Sequence, residues 1–116
     1  IDFRLDRPSG PCWVEVKSVT LVEEGVALFP DAPTVRGRRH VRELTAAVAA
    51  GQAAAVVFIV QRPDAHLFAP HAHNDPALAA ALREAAACGV AVRAYVCRVS
   101  PTEIAVERAI PVALAP

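Results

Sequence analysis

Glu15 and Lys17 flank one valine in the stretch Cys12-Trp13-Val14-Glu15-Val16-Lys17-Ser18-Val19-Thr20-Leu21. β-Branched and aromatic residues dominate it, and apolar and polar positions alternate, which predicts a strand. Side chains alternate across a strand, so Glu15 and Lys17 share a face, roughly 7 Å apart. At that spacing a carboxylate can hold a divalent metal while the ammonium reaches the same phosphate or its attacking water. Lys17 is the single lysine among twelve basic residues, the other eleven being arginines. An ammonium is a compact point charge with three rotatable donors, and a planar guanidinium does not replace it freely. A salt-bridged strand surface would also carry Glu-x-Lys, but in so Arg-biased a chain the lone lysine favours a site.

Ile1, Phe3 and Leu5 alternate with Asp2 and Arg4, and the turn-rich Asp6-Arg7-Pro8-Ser9-Gly10-Pro11 follows. Two strands joined by such a connector are expected to pair as a hairpin. That pairing would put Asp2 beside Glu15. Two carboxylates and the backbone carbonyl of Val16 make a set of hard oxygens suited to Mg2+ or Mn2+. Taken alone, Asp2 reads as an ordinary exposed strand residue.

The remaining elements must hold these groups. Glu23-Glu24-Gly25 makes a turn, and residues 26–29 read as a third strand, broken by Pro30-Asp31-Ala32-Pro33. Residues 34–50 read as a helix with Thr34 as N-cap, Gly51 as its stop, and an apolar stripe of Val41, Leu44 and Val48. Gly37 is expected to delay its start by a residue or two. Arg36, Arg38, Arg39, His40 and Arg42 form the densest positive charge in the chain. They read either as a phosphate-contacting face near a helix N-terminus or as a solvated one. Residues 53–60 form an apolar run expected as a central strand buried on both faces. Gln61 and Arg62 stand at its exit, where polar residues of open α/β sheets often line the site. Residues 63–76 read as an irregular loop; its His66, His71 and His73 lack a Cys or Glu spaced to complete a zinc set. Asp75-Pro76 starts a second helix running to about Cys88 before Gly89. Residues 90–99 read as a strand, with weaker candidates at 104–106 and 111–114.

The length of 116 residues suits one domain with a real core. With 54% hydrophobic and 21% charged residues, the chain is neither disordered nor fibrous. A net charge of +0 excludes a globally basic binder, so any nucleic acid must be met by a local patch. No secretory leader and no run of membrane-spanning length is visible, so no membrane partner is expected. The lack of Met and the strand-like start at Ile1 suggest a piece of a longer protein. Cys12, Cys88 and Cys97 lack metal or redox spacing and are expected to be small buried hydrophobes, reduced as in a cytoplasmic setting.

Ile1-Asp2-Phe3, the stretch from Val14 to Leu21, that from Phe29 to Leu44, and Val60-Gln61-Arg62-Pro63-Asp64 closely resemble the sugar fermentation stimulation protein A (SfsA) family. The likeness runs from Ile1 to near the C-terminus. It implies a restriction-endonuclease-like PD-(D/E)xK core: an α/β fold with a mixed central sheet flanked by helices, here lacking its first helix. Residues 1–116 would be one nuclease-like domain, the family's N-terminal oligonucleotide-binding-like domain being absent. The resemblance maps Asp2 onto the metal-binding acid and Glu15 and Lys17 onto the Glu-x-Lys motif. Arg36-Gly37 and His40 to Glu43 match the family's helix motif, so Arg36, Arg39, His40 and Arg42 are expected to contact nucleic acid. Glu43, Gln61 and Arg62 would support the site. Arg39 stands where the family commonly carries Lys, and the three loop histidines fall outside the pattern. The expected function is a metal-dependent phosphodiesterase that binds DNA, linked through the family to sugar (maltose) metabolism. The alternatives are a DNA-binding regulator that keeps the fold without catalysis, and a domain with no nucleic-acid role.

Overall fold

A computed structural model describes residues 2–114. Its elements in chain order are β1 (Phe3–Arg7), β2 (Gly10–Val19), β3 (Leu21–Glu23), β4 (Val26–Phe29), α1 (Val35–Ala49), β5 (Ala53–Val60), β6 (Leu67–Pro70), α2 (Pro76–Cys88), β7 (Ala91–Val99) and β8 (Ile104–Ile110). β1 and β2 form the expected antiparallel hairpin, Phe3 opposite Val14 and Arg7 opposite Gly10. Ile1 lies outside the described residues. The main sheet has the order β1-β2-β5-β7-β8, with its three middle strands parallel and its two outer strands antiparallel to their neighbours. Parallel neighbours need long crossovers, and α1 and α2 supply them. The mixed central sheet with two flanking helices is the architecture that the sequence predicts.

Several boundaries differ from expectation. The long strand through Leu21 ends at Val19, and after Thr20 the chain enters a second sheet of order β3-β4-β6. Residues 67–70, expected as loop, are β6, which pairs in parallel with β4. That partner is about forty residues away in sequence, so no local pattern announces it. The strand candidate at 104–106 extends to Ile110, whereas that at 111–114 is reduced to one bridge between Val112 and Phe68.

α1 starts at Val35 and is not delayed by Gly37. Thr34 Oγ1 accepts from Gly37 N at 2.9 Å, the N-cap bond. A Cβ on Gly37 would stand 2.7 Å from Thr34 Cγ2, so the glycine is what lets the cap close. Asp75 joins the two helix starts. Its Oδ1 accepts from Leu78 N at 3.0 Å, capping α2, and its Oδ2 accepts from Thr34 N at 2.8 Å. Gly89 ends α2 in the left-handed conformation, φ 107.

β5 is buried on one face only. Ala54, Val56, Phe58 and Val60 are buried, while Ala53, Ala55, Val57 and Ile59 are half-buried. The reason is that the core lies on a single side. Val41 and Leu44 of α1, Leu78 and Leu82 of α2, and Phe68 of β6 all join the cluster around Val56 and Phe58. Phe58 stacks on Phe68 with ring centroids 4.2 Å apart. Of the cysteines, Cys97 is buried and Cys12 half-buried. Cys88, expected in the core, is exposed: it is the last residue of α2, just before Gly89. Among the described residues no helix is long and apolar enough to cross a membrane.

Candidate active site

Register decides which way the Glu-x-Lys strand faces. Glu15 stands beside Val56 and Lys17 beside Phe58 on the neighbouring parallel strand. Paired residues on adjacent strands share a face, so both side chains enter the layer between β2 and α1. Glu15 is 1% exposed, one of two buried charged residues among those described, the other being Asp75. Apolar neighbours put it there, and polar partners make it tolerable.

Among those partners are Lys17 and His40. Lys17 Nζ lies 3.1 Å from Glu15 Oε1, and His40 Nδ1 lies 2.9 Å from the same oxygen. Lys17 Nζ and His40 Nδ1 are 2.8 Å apart. Burial pushes the Glu15 carboxyl up, while hydrogen bonding, from Lys17 first, and the charges of Lys17 and His40 pull it down, and the group lies below its ordinary value of 4.5. Glu15 is therefore ionised at neutral pH, the form that a metal or an ammonium requires.

Asp2 lies just before β1 and is exposed. Its N–H donates to Val14 O at 3.2 Å, and its Oδ2 accepts from Val16 N at 2.8 Å. The hairpin thus carries the Asp2 carboxylate to the peptide that links Glu15 to Val16. The side chain of Val16, level with Val57, lies on the opposite face from Glu15. Asp2, Glu15 and the Val16 carbonyl are hard oxygen donors, and the ionised Glu15 suits a divalent cation. Among the described residues no three His, Cys, Asp or Glu side chains are grouped to hold a metal ion. One or two carboxylates completed by water or substrate oxygens is the habit of Mg2+, so the donors present fit such an ion without a full protein cage. The same finding covers His66, His71 and His73.

His40 is turned inward, where the sequence suggested a phosphate contact. At 100° per residue, His40 borders the buried stripe of Gly37, Val41 and Leu44, with Arg36 one turn before it and Glu43 one turn after. That stripe adjoining His40 was the signal available for its partnership with β2. Arg36, Arg39 and Arg42 are exposed. Gln61 and Arg62 are not brought to Lys17. Gln61 N donates to Val19 O at 3.0 Å, and its Nε2 reaches Ser18 Oγ at 3.4 Å, on the other face of β2. Arg62 is held by Asp64 through bonds of 3.1 and 2.6 Å. Beyond Lys17, a cavity of about 160 Å³ is lined by Val19, Thr20, Leu28, Phe29 and Asp31, among others.

The sequence pattern of the SfsA family described as "Sugar fermentation stimulation protein RE domain" matches residues 1–103. A sugar fermentation stimulation protein homolog of Moorella thermoacetica is 53% identical over 105 residues, covering 90% of this chain and 45% of that protein. A homolog of Chloroflexus aggregans is 53% identical over 112 residues, 97% of this chain and 43% of its own. The solved structure of Pyrococcus furiosus SfsA in complex with Ca2+ superposes with a TM-score of 0.91 at 35% identity, over 97% of this chain and 49% of that one. The chain thus spans about half the length of the curated relatives it matches. On pattern, identity and fold alike, it belongs to the sugar fermentation stimulation protein (SfsA) family.

Proposed function

We propose that residues 1–116 form one nuclease-like domain that binds DNA and hydrolyses its phosphodiester bonds with a divalent metal. The observation that carries this reading is the buried, ionised Glu15 held against Lys17 at a sheet face, with the Asp2 carboxylate brought to the same peptide. Asp2, Glu15 and the Val16 carbonyl would hold Mg2+ or Mn2+. Such an ion, when bound, supplies Lewis-acid polarisation of the phosphate and a bound water of lowered pKa. Lys17, its side chain 16% exposed, orients that water or stabilises negative charge developing on the phosphate. Arg36, Arg39 and Arg42 grip the backbone, and Glu43, one turn beyond His40 on α1, supports the site. The Ca2+ complex of the Pyrococcus furiosus relative supports a divalent ion here. A cytoplasmic setting and a part in regulating sugar metabolism accompany this reading.

A second reading is a DNA-binding regulator without catalysis. What favours it is the exposed set of Arg36, Arg39 and Arg42 on α1, which can meet phosphates without a metal. Supercoiled and single-stranded DNA incubated with the protein and Mn2+, beside a Lys17→Ala control, separates the two. Cleavage that the control loses is expected. DNA retarded in a gel but never cut would refute the nuclease and leave the regulator.

A further inference from the structure

We infer that His40 is a positioning residue for Lys17, taking over the ammonium when Glu15 is drawn away, and not a contact to nucleic acid. The inference rests on the metal-site reading above and adds to it how the lysine is kept in place.

Three polar atoms stand in a closed triangle: Lys17 Nζ to Glu15 Oε1 at 3.1 Å, His40 Nδ1 to Oε1 at 2.9 Å, and Nζ to Nδ1 at 2.8 Å. The side chains are only 16%, 2% and 12% exposed for Lys17, Glu15 and His40, so little water enters the competition. An imidazole Nδ1 carries either a proton or a lone pair. With the proton, it donates to Oε1, and the ammonium faces an N–H with which it makes no bond. With the lone pair, it accepts from Lys17, and then Nδ1 and Oε1 oppose each other as two acceptors. One side of the triangle is unbonded in either tautomer.

Charge selects between the two. While Glu15 is an ionised acceptor, bonds to it are the strong ones, and both Lys17 and a protonated Nδ1 turn to Oε1. A cation that took Oε1 would leave the ammonium without that anionic acceptor. The imidazole proton then belongs on Nε2, and the Nδ1 lone pair holds Lys17. The lysine stays at the site with two N–H bonds free for water or phosphate. No change in net protonation is needed, only a shift of one proton between ring nitrogens.

The test is the imidazole 15N spectrum of the full-length protein labelled at histidine, recorded at about pH 8, above the usual imidazole range. The His40 signals are assigned by their loss in His40→Gln. In the metal-free protein and in Lys17→Ala, Nδ1 should be protonated. In Glu15→Ala, and on saturation with Ca2+, the proton should move to Nε2. Glu15→Gln keeps the shape without the charge, and should match Glu15→Ala if the smaller variant folds poorly. The same tautomer in Lys17→Ala as in the Glu15 variants would overturn the inference. Variants that differ while Ca2+ changes nothing would support His40 as the partner of Lys17 and count against the metal reading instead.

Discussion

Lys17→Ala should destabilise this protein more than Glu15→Gln, although Glu15 is the more deeply buried residue. Removing the lysine leaves a carboxylate that is 1% exposed with His40 and without its main counter-charge. Breaking a buried ion pair from one side costs about 3–5 kcal/mol, and the partial exposure of Lys17 lowers that to roughly 2–4. Glu15→Gln keeps the volume and the hydrogen-bonding shape. It converts charge-assisted bonds worth about 1.5–3 kcal/mol into neutral ones of about 0.5–1.5. It also removes the cost of burying the charge, so the net loss should stay near 0–2 kcal/mol. The difference, about 2 kcal/mol, is a factor of roughly 30 in the folding equilibrium. Urea unfolding near neutral pH reads it directly, provided the slopes agree. pH supplies a second check. Glu15 is depressed below 4.5, so its contribution is present above that value and is lost as pH falls through the lower folded value. In Lys17→Ala, burial acts with less opposition, the carboxyl titrates higher, and the deficit should narrow as the medium is acidified towards 4.5. A Glu15→Gln protein as unstable as Lys17→Ala, or a deficit that widens in acid, would refute this account of the site.

Other outcomes follow from the same structure. Arg36→Ala and Arg39→Ala should each weaken DNA binding in a gel-shift or fluorescence titration, and each should reduce the salt slope by about 1 if the side chain meets one phosphate. Asp75→Ala removes the cap of α2 and strands the Thr34 N–H, and should cost about 2–4 kcal/mol in urea unfolding. A loss below about 1 kcal/mol would show that the two helix starts do not share this carboxylate.

The chain by itself determined what depends on neighbours in sequence. The Asp6–Pro11 connector dictates the hairpin. Thr34 and Asp75 dictate where the helices begin, because an N-cap acts within one turn. Period-two alternation puts Glu15 and Lys17 on one face whatever lies around them. The same periodicity is silent about which face is covered. A continuous run such as residues 53–60 reads alike whether helices lie on both sides or on one, and only the packing of α1, α2 and β6 against Val56 and Phe58 decided for one. β6 was invisible because its strand character comes from pairing with β4, not from its own residues. His40 among arginines looked like part of a phosphate-binding face. Its contact with Glu15 and Lys17 was decided by the parallel register of β2 with β5, which aims those side chains at α1, and by the roughly 100° that separates His40 from Arg39 around the helix. Local chemistry writes caps, turns and alternation into the sequence. Register between distant strands and the side on which helices land are long-range quantities, and here they turned a Glu-x-Lys pair into a buried Glu15–Lys17–His40 cluster.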